Sequence, residues 1–150
     1  MATFSPYNAG AYERQKRDVE YDYSTNAANN AYSRFLSQQR GQRSLGDMSR
    51  SFGRQFPIYK ASFGQRGLSG GAVNSGTMRQ SMANYVGDYA RDFGRQQQDL
   101  TQQLQQHDLE LDRLGAFRQQ SLADIEAEKA QAIANDAAAI EYLRSLVGGL

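Results

Sequence analysis

His107 is the only histidine in the chain, and chemistry is sought there first. Imidazole is the side chain whose ordinary pKa lies nearest neutrality, so it serves as acid, base or metal ligand. Asp108, Glu110 and Asp112 follow it closely. On a helix, however, successive residues turn by about 100°, so these carboxylates fan round the axis and do not converge with His107 on one ion. The chain has no Cys, which removes disulfides and thiolate metal sites. No nucleophile elbow and no dinucleotide fingerprint is present. Gly67-Leu68-Ser69-Gly70-Gly71 is glycine-rich before a helical stretch, but it lacks the Lys-Ser/Thr of a phosphate loop, and no strand precedes it. The expectation is a protein that is not an enzyme and uses no metal or cofactor. His107 is then a seam residue, hydrogen-bonded to a polar neighbour or paired across an oligomer axis.

A second constellation is basic. From Arg34 to Arg66 there are seven cations and one anion, Asp47. Phe35, Phe52, Phe56, Tyr59 and Phe63 interleave with them. Arginine on phosphate with aromatics beside it is a pattern of nucleic-acid contact, and Arg40, Arg43, Arg50, Arg54, Lys60 and Arg66 are the candidate residues. The competing reading has the aromatics packing helix against helix while arginine pairs with acidic residues of the second half. Arg outnumbers Lys fourteen to three, and its planar fork suits carboxylate pairing in interfaces. The competing reading is preferred.

The element that must position these groups is a long helix over 77–147. Met78, Tyr89, Leu100, Leu111, Leu122 and Ile133 recur every eleven residues, and Met82, Phe93 and Leu104 form a second series. Eleven residues make three turns at about 3.67 per turn, so the stripe stays nearly parallel to the axis. After Gly115 it shifts to Leu114, Leu122, Ile125, Ile133, Ile140, Leu143 and Val147. A bend or change of partner is expected there. Together with His107, these apolar positions form the expected seam. At roughly 1.5 Å per residue, a helix over 77–147 spans roughly 106 Å, wider than an ordinary domain of this size.

Residues 1–9 read as an arm. Residues 10–56 form a helical N-terminal segment, with Val19, Tyr23, Ala27, Ala31 and Phe35 on one face. Gly41 interrupts it, Ser44 to Asp47 resembles a capping box, and Pro57 stops it. Residues 57–76 are a Gly-rich connector, and Thr77 caps the long helix. A first helix half as long as the second leaves residues beyond Gly115 without a partner in the same chain. Oligomerisation through residues 116–147 is therefore expected. The fold class is all-α: an elongated αα-hairpin or rod with one very long C-terminal helix, in an oligomeric helical assembly.

Composition agrees with a seam rather than a thick core. Of 150 residues 39% are hydrophobic, and Trp is absent. Residues 1–76 carry ten basic and five acidic side chains, a net +5; residues 77–150 carry seven and eleven, a net −4. The halves of one molecule or of neighbouring molecules are expected to attract. No secretory signal and no membrane-spanning run is visible.

Three stretches carry a resemblance. Arg54-Gln55-Phe56-Pro57 comes first, then Phe63-Gly64-Gln65-Arg66-Gly67-Leu68 with Gly70, Gly71 and Ser75-Gly76. A Gln-rich helix follows, ending Leu122-Ala123-Asp124-Ile125-Glu126-Ala127-Glu128-Lys129-Ala130. Over about residues 50–140 the chain resembles small helical virion proteins of tailed bacteriophages. The resemblance implies a structural role in the particle, as a tail, connector or ejected internal protein, in or near the tail or portal channel. It implies a virion location after assembly in the host cytoplasm, with portal, connector or tail proteins as neighbours of the homo-oligomer that the helices are expected to form. It implies no activity and no ligand residues. Contact with genomic DNA and service as an assembly scaffold or chaperone are the alternatives.

Overall fold

A computed structural model describes residues 7–63 and 76–148. Among these the chain is all-α and has no strand. Helix α1 is Ala9–Phe63 and helix α2 is Gly76–Gly148. The side chain of Thr77, the expected cap, lies outside the described residues, as does the connector from residue 64 to 75.

Helix α1 begins where Asn8 supplies a cap. The Ala11 amide donates to Asn8 Oδ1 at 3.2 Å, satisfying a first-turn N–H that has no intrahelical partner. The helix then runs 55 residues without a break. This corrects three expectations. Gly41 does not interrupt α1, because it lies in the seam and its missing side chain makes room for Leu100. Ser44 starts no new helix; its hydroxyl accepts from the Gln96 side chain of α2 instead. Pro57 does not stop the helix either. Proline withholds one N–H and crowds the carbonyl four residues back. That residue is Gly53, and aromatic packing on both sides of Pro57 holds the turn.

The chain divides into two compact units, one of residues 1–30 with 109–150 and one of residues 31–108. In the first, α1 and α2 pair antiparallel. The Tyr7 amide donates to Asp136 Oδ2 at 2.8 Å, Lys16 pairs with Glu126, Arg118 with Glu20, and Asn30 donates to Glu110 at 2.8 Å. The region after Gly115 therefore has a partner in its own chain at least to Asp136, contrary to expectation. The error follows from α1 being much longer than the glycine and proline suggested. The second helix is not a lone rod, and it is uninterrupted through Gly115.

In the second unit the helices also run antiparallel. Arg34 donates to Asp108 at 2.9 Å, Ser37 lies 3.4 Å from His107 Nε2, and Tyr85 donates to Gln55 at 3.3 Å. Inward positions on α2 step by 4, 3 and 4 residues from Met78 through Tyr89 to Leu100, as the eleven-residue stripe requires. In the first unit two steps of four, from Leu114 to Arg118 and on to Leu122, give way to alternating steps of 3 and 4 through Ile125, Lys129, Ala132, Asp136 and Ala139. That is heptad spacing, and five of those eight side chains are polar or alanine.

Candidate interaction surfaces

Two helices packed side by side can cover only one face of each. The described residues show this directly: only Phe63 and Asn30 are buried. Asn30, a polar residue in the tightest position of the first unit, is the group for which a hydrogen bond matters most, and Glu110 supplies it.

Ion pairs bridge the two helices of the first unit. Arg118 grips Glu20 with two hydrogen bonds, 2.8 Å from Nε and 2.6 Å from Nη2. Its guanidinium also lies over the Tyr23 ring, 5.1 Å from the centroid. This fork geometry is available to arginine and not to lysine. The Arg118 hydrogen bond holds the Glu20 carboxyl below its ordinary pKa. Lys16 does the same to Glu126, and both cations are raised in return.

In the second unit, aromatics take over. Phe52 stacks on Tyr89 with centroids 4.0 Å apart, and Tyr59 on Tyr85 at 4.5 Å. Phe56 and Phe63 extend the cluster along α1. Beside it runs an open groove of about 690 Å³, walled by Phe52, Tyr85 and Tyr89 with Asp47, Asp88 and Asp92 at its rim. Each of these aspartates is already paired with an arginine three residues on in its own helix.

The expected seam residues fall into three groups, and the side chain of Val147 lies outside the described residues. Met78, Met82, Tyr89, Phe93, Leu100, Leu104 and His107 are half-buried in the second unit, and Leu114, Leu122 and Ile125 are half-buried in the first. Leu111, Ile133, Ile140 and Leu143 are exposed. On α1, Val19, Tyr23 and Ala27 face inward, but Ala31 and Phe35 do not; Asn30 and Arg34 take those places. Tyr85, Arg118 and Asp136 were missed as seam residues. Apolar periodicity passes over polar seam positions, and the only signal for Arg118 was an opposite charge at Glu20, nearly a hundred residues away. His107 Nε2 has Ser37 as its neighbour, while its Nδ1 is buried without a partner. Among the described residues no three His, Cys, Asp or Glu side chains gather as metal ligands.

Of the candidate basic residues, Arg40, Arg43, Arg50, Arg54 and Lys60 are exposed, and Arg66 lies outside the described residues. At about 100° per residue, Arg40, Arg43, Arg50 and Arg54 fall within about 80° of one another round α1, and Lys60 falls on a different side.

No helix among the described residues is long and apolar enough to cross a membrane. No family model matches the chain, and no curated protein or solved structure does either. What the geometry defines is therefore a class only: among the described residues, an all-α arrangement of two paired long helices.

Proposed function

We propose that this chain is a structural protein of a bacteriophage particle that assembles in several copies through its helices. It would sit among portal, connector or tail proteins in the channel region. The resemblance of residues 50–140 to virion proteins supports the particle. One structural observation supports the self-assembly: a strip of exposed apolar side chains on the C-terminal part of α2. Ile133, Ile140 and Leu143, exposed by 46%, 52% and 59%, are spaced seven and three residues apart and so share one side of the helix. Scattered exposed aliphatics are ordinary, but an aligned strip marks an interaction surface. A second copy of the same strip is the simplest cover, since like apolar strips are self-complementary.

Native mass measurement of the purified full chain tests this. Multimers are expected for the wild type, with dissociation in an Ile133→Glu/Ile140→Glu/Leu143→Glu variant that keeps its helical circular dichroism. A wild-type chain that stays monomeric at tens of micromolar rejects the assembly. Identification of the chain among the proteins of purified particles tests the virion location; its absence from finished particles would instead mark a scaffold.

A further inference from the structure

We infer that the outward face of α1 in the second unit is a contact ridge for the phosphate backbone of duplex DNA. Three observations converge there. The first is local charge. The second unit, residues 31–108, contains ten basic and five acidic residues, a net +5. The excess cations are not all taken up by pairing. Arg34, Arg91 and Arg95 each have a carboxylate within 4.0 Å. Arg40, Arg43 and Arg54 have none among the described residues, and residues 1–6, 64–75 and 149–150 contain no Asp or Glu to supply one.

The second observation is placement. Arg43, Arg50 and Arg54 lie on the side of α1 turned away from Gly41 and Met48, and Arg40 stands at the seam's edge, where it lines a cleft with Ser37, Asp99 and Leu100. From Arg40 to Arg54 the ridge runs fourteen residues, about 21 Å of helix. Duplex DNA presents a negative charge on each strand every 3.4 Å of its axis, so a band of guanidinium groups of this length, within about 80° of helix arc, meets several phosphates at once. The third is a polar hollow within the ridge. Arg50, Ser51, Arg54 and Gln55 line it with Asp47, and guanidinium, hydroxyl and amide groups are the donors that grip phosphate oxygens.

Two carboxylates oppose the ridge: Asp99, which lines the cleft beside Arg40, and Asp47 in the hollow. Asp47 accepts from Arg50 Nη2 at 2.6 Å and must share that arginine with any phosphate. The ridge carries no base-reading element, so the binding is independent of sequence and acts by counterion release. The acidic unit of a second copy is the rival occupant, and the test separates the two.

The test is fluorescence anisotropy of the full-length protein with a labelled duplex of about 24 base pairs, titrated from about 25 to 200 mM NaCl, a range over which phosphate binding weakens strongly. Wild-type binding should fall linearly on a log–log plot. Arg40→Gln/Arg43→Gln/Arg54→Gln should flatten that slope by about 2.7, at about 0.9 for each phosphate no longer neutralised. Lys60→Gln, exposed but off the ridge, should leave the slope unchanged. Asp47→Asn should tighten binding several-fold at low salt. The variants sit on exposed positions, and circular dichroism checks that each remains helical. The inference is overturned if the wild type does not bind at about 25 mM NaCl, or if Lys60→Gln costs as much slope as one ridge arginine. It is also overturned if the triple variant loses only a salt-sensitive self-association measured without DNA. A duplex-binding chain that proves monomeric would reject the assembly reading and leave this one standing.

Discussion

Leu100 of α2 packs onto the bare α-carbon of Gly41 in α1. A Cβ built on Gly41 would stand 2.9 Å from Leu100 Cγ, with both δ-carbons closer still. Real Cβ atoms do not approach so near, so the Leu100 side chain fills the space that any larger residue at position 41 would need. At Gly46, Gly53, Gly87, Gly94 and Gly115 a Cβ would meet nothing within 4 Å.

That contrast sets opposite signs for one substitution. Glycine inside a helix costs up to about 1 kcal/mol relative to alanine. Gly46→Ala or Gly94→Ala should therefore stabilise the protein by about 0.5–1 kcal/mol. Gly41→Ala should destabilise it by about 1 kcal/mol, because overpacking outweighs the propensity gain. Leu100→Ala in the Gly41→Ala background should remove that penalty. Chemical denaturation of the five proteins decides, and a stabilising Gly41→Ala would show that Leu100 simply swings aside.

The Glu20–Arg118 pair predicts a pH dependence. Hydrogen bonding to Arg118 holds the folded-state Glu20 pKa below its ordinary 4.5. Its contribution is then fully present above 4.5 and is lost as pH falls through the lower folded value. Glu126 behaves alike through Lys16. The wild-type thermal midpoint should drop as pH falls below 4.5, and Glu20→Gln/Glu126→Gln should show a shallower drop. Lys16 has the mirror behaviour: its pKa is raised above 10.5, so its part persists to high pH and is lost only above that value. Parallel acid limbs for variant and wild type would remove both pairs as the cause.

Phe52 and Tyr89 should be coupled. Their rings stack with centroids 4.0 Å apart. A double-mutant cycle with Phe52→Ala and Tyr89→Ala should return a coupling of about 0.5–1.5 kcal/mol. Additive effects would mean that the helices meet elsewhere in this unit.

Asn30 should act on specificity more than on stability. It donates to Glu110 at 2.8 Å, and a polar group at a seam position selects register at a cost in stability. Asn30→Leu should raise the thermal midpoint by an amount worth about 1 kcal/mol, while native mass measurement should reveal additional oligomeric species. A lowered midpoint would show that the hydrogen bond contributes net stability.

The helical class, the extent of α2 and, among the described residues, a seam in place of a thick core were legible in the residues themselves. Those properties follow from periodicity and composition, which are local. The eleven-residue interval from Met78 through Tyr89 to Leu100 on the inward face was visible for the same reason, although the intervening Tyr85 was not. The continuity of α1 was not. Gly41 and Pro57 are helix breakers by local propensity, and only packing against Leu100 and against Tyr85 and Tyr89 overrides them. Nor could the partner of residues 116–136 be read, since Arg118 finds Glu20 and Glu126 finds Lys16 across about a hundred residues of chain. Sequence determined that the chain would form helices needing a partner. Tertiary structure decided that α1 is that partner as far as Asp136, because a seam built of ion pairs, an asparagine and alanines leaves no apolar stripe to announce it.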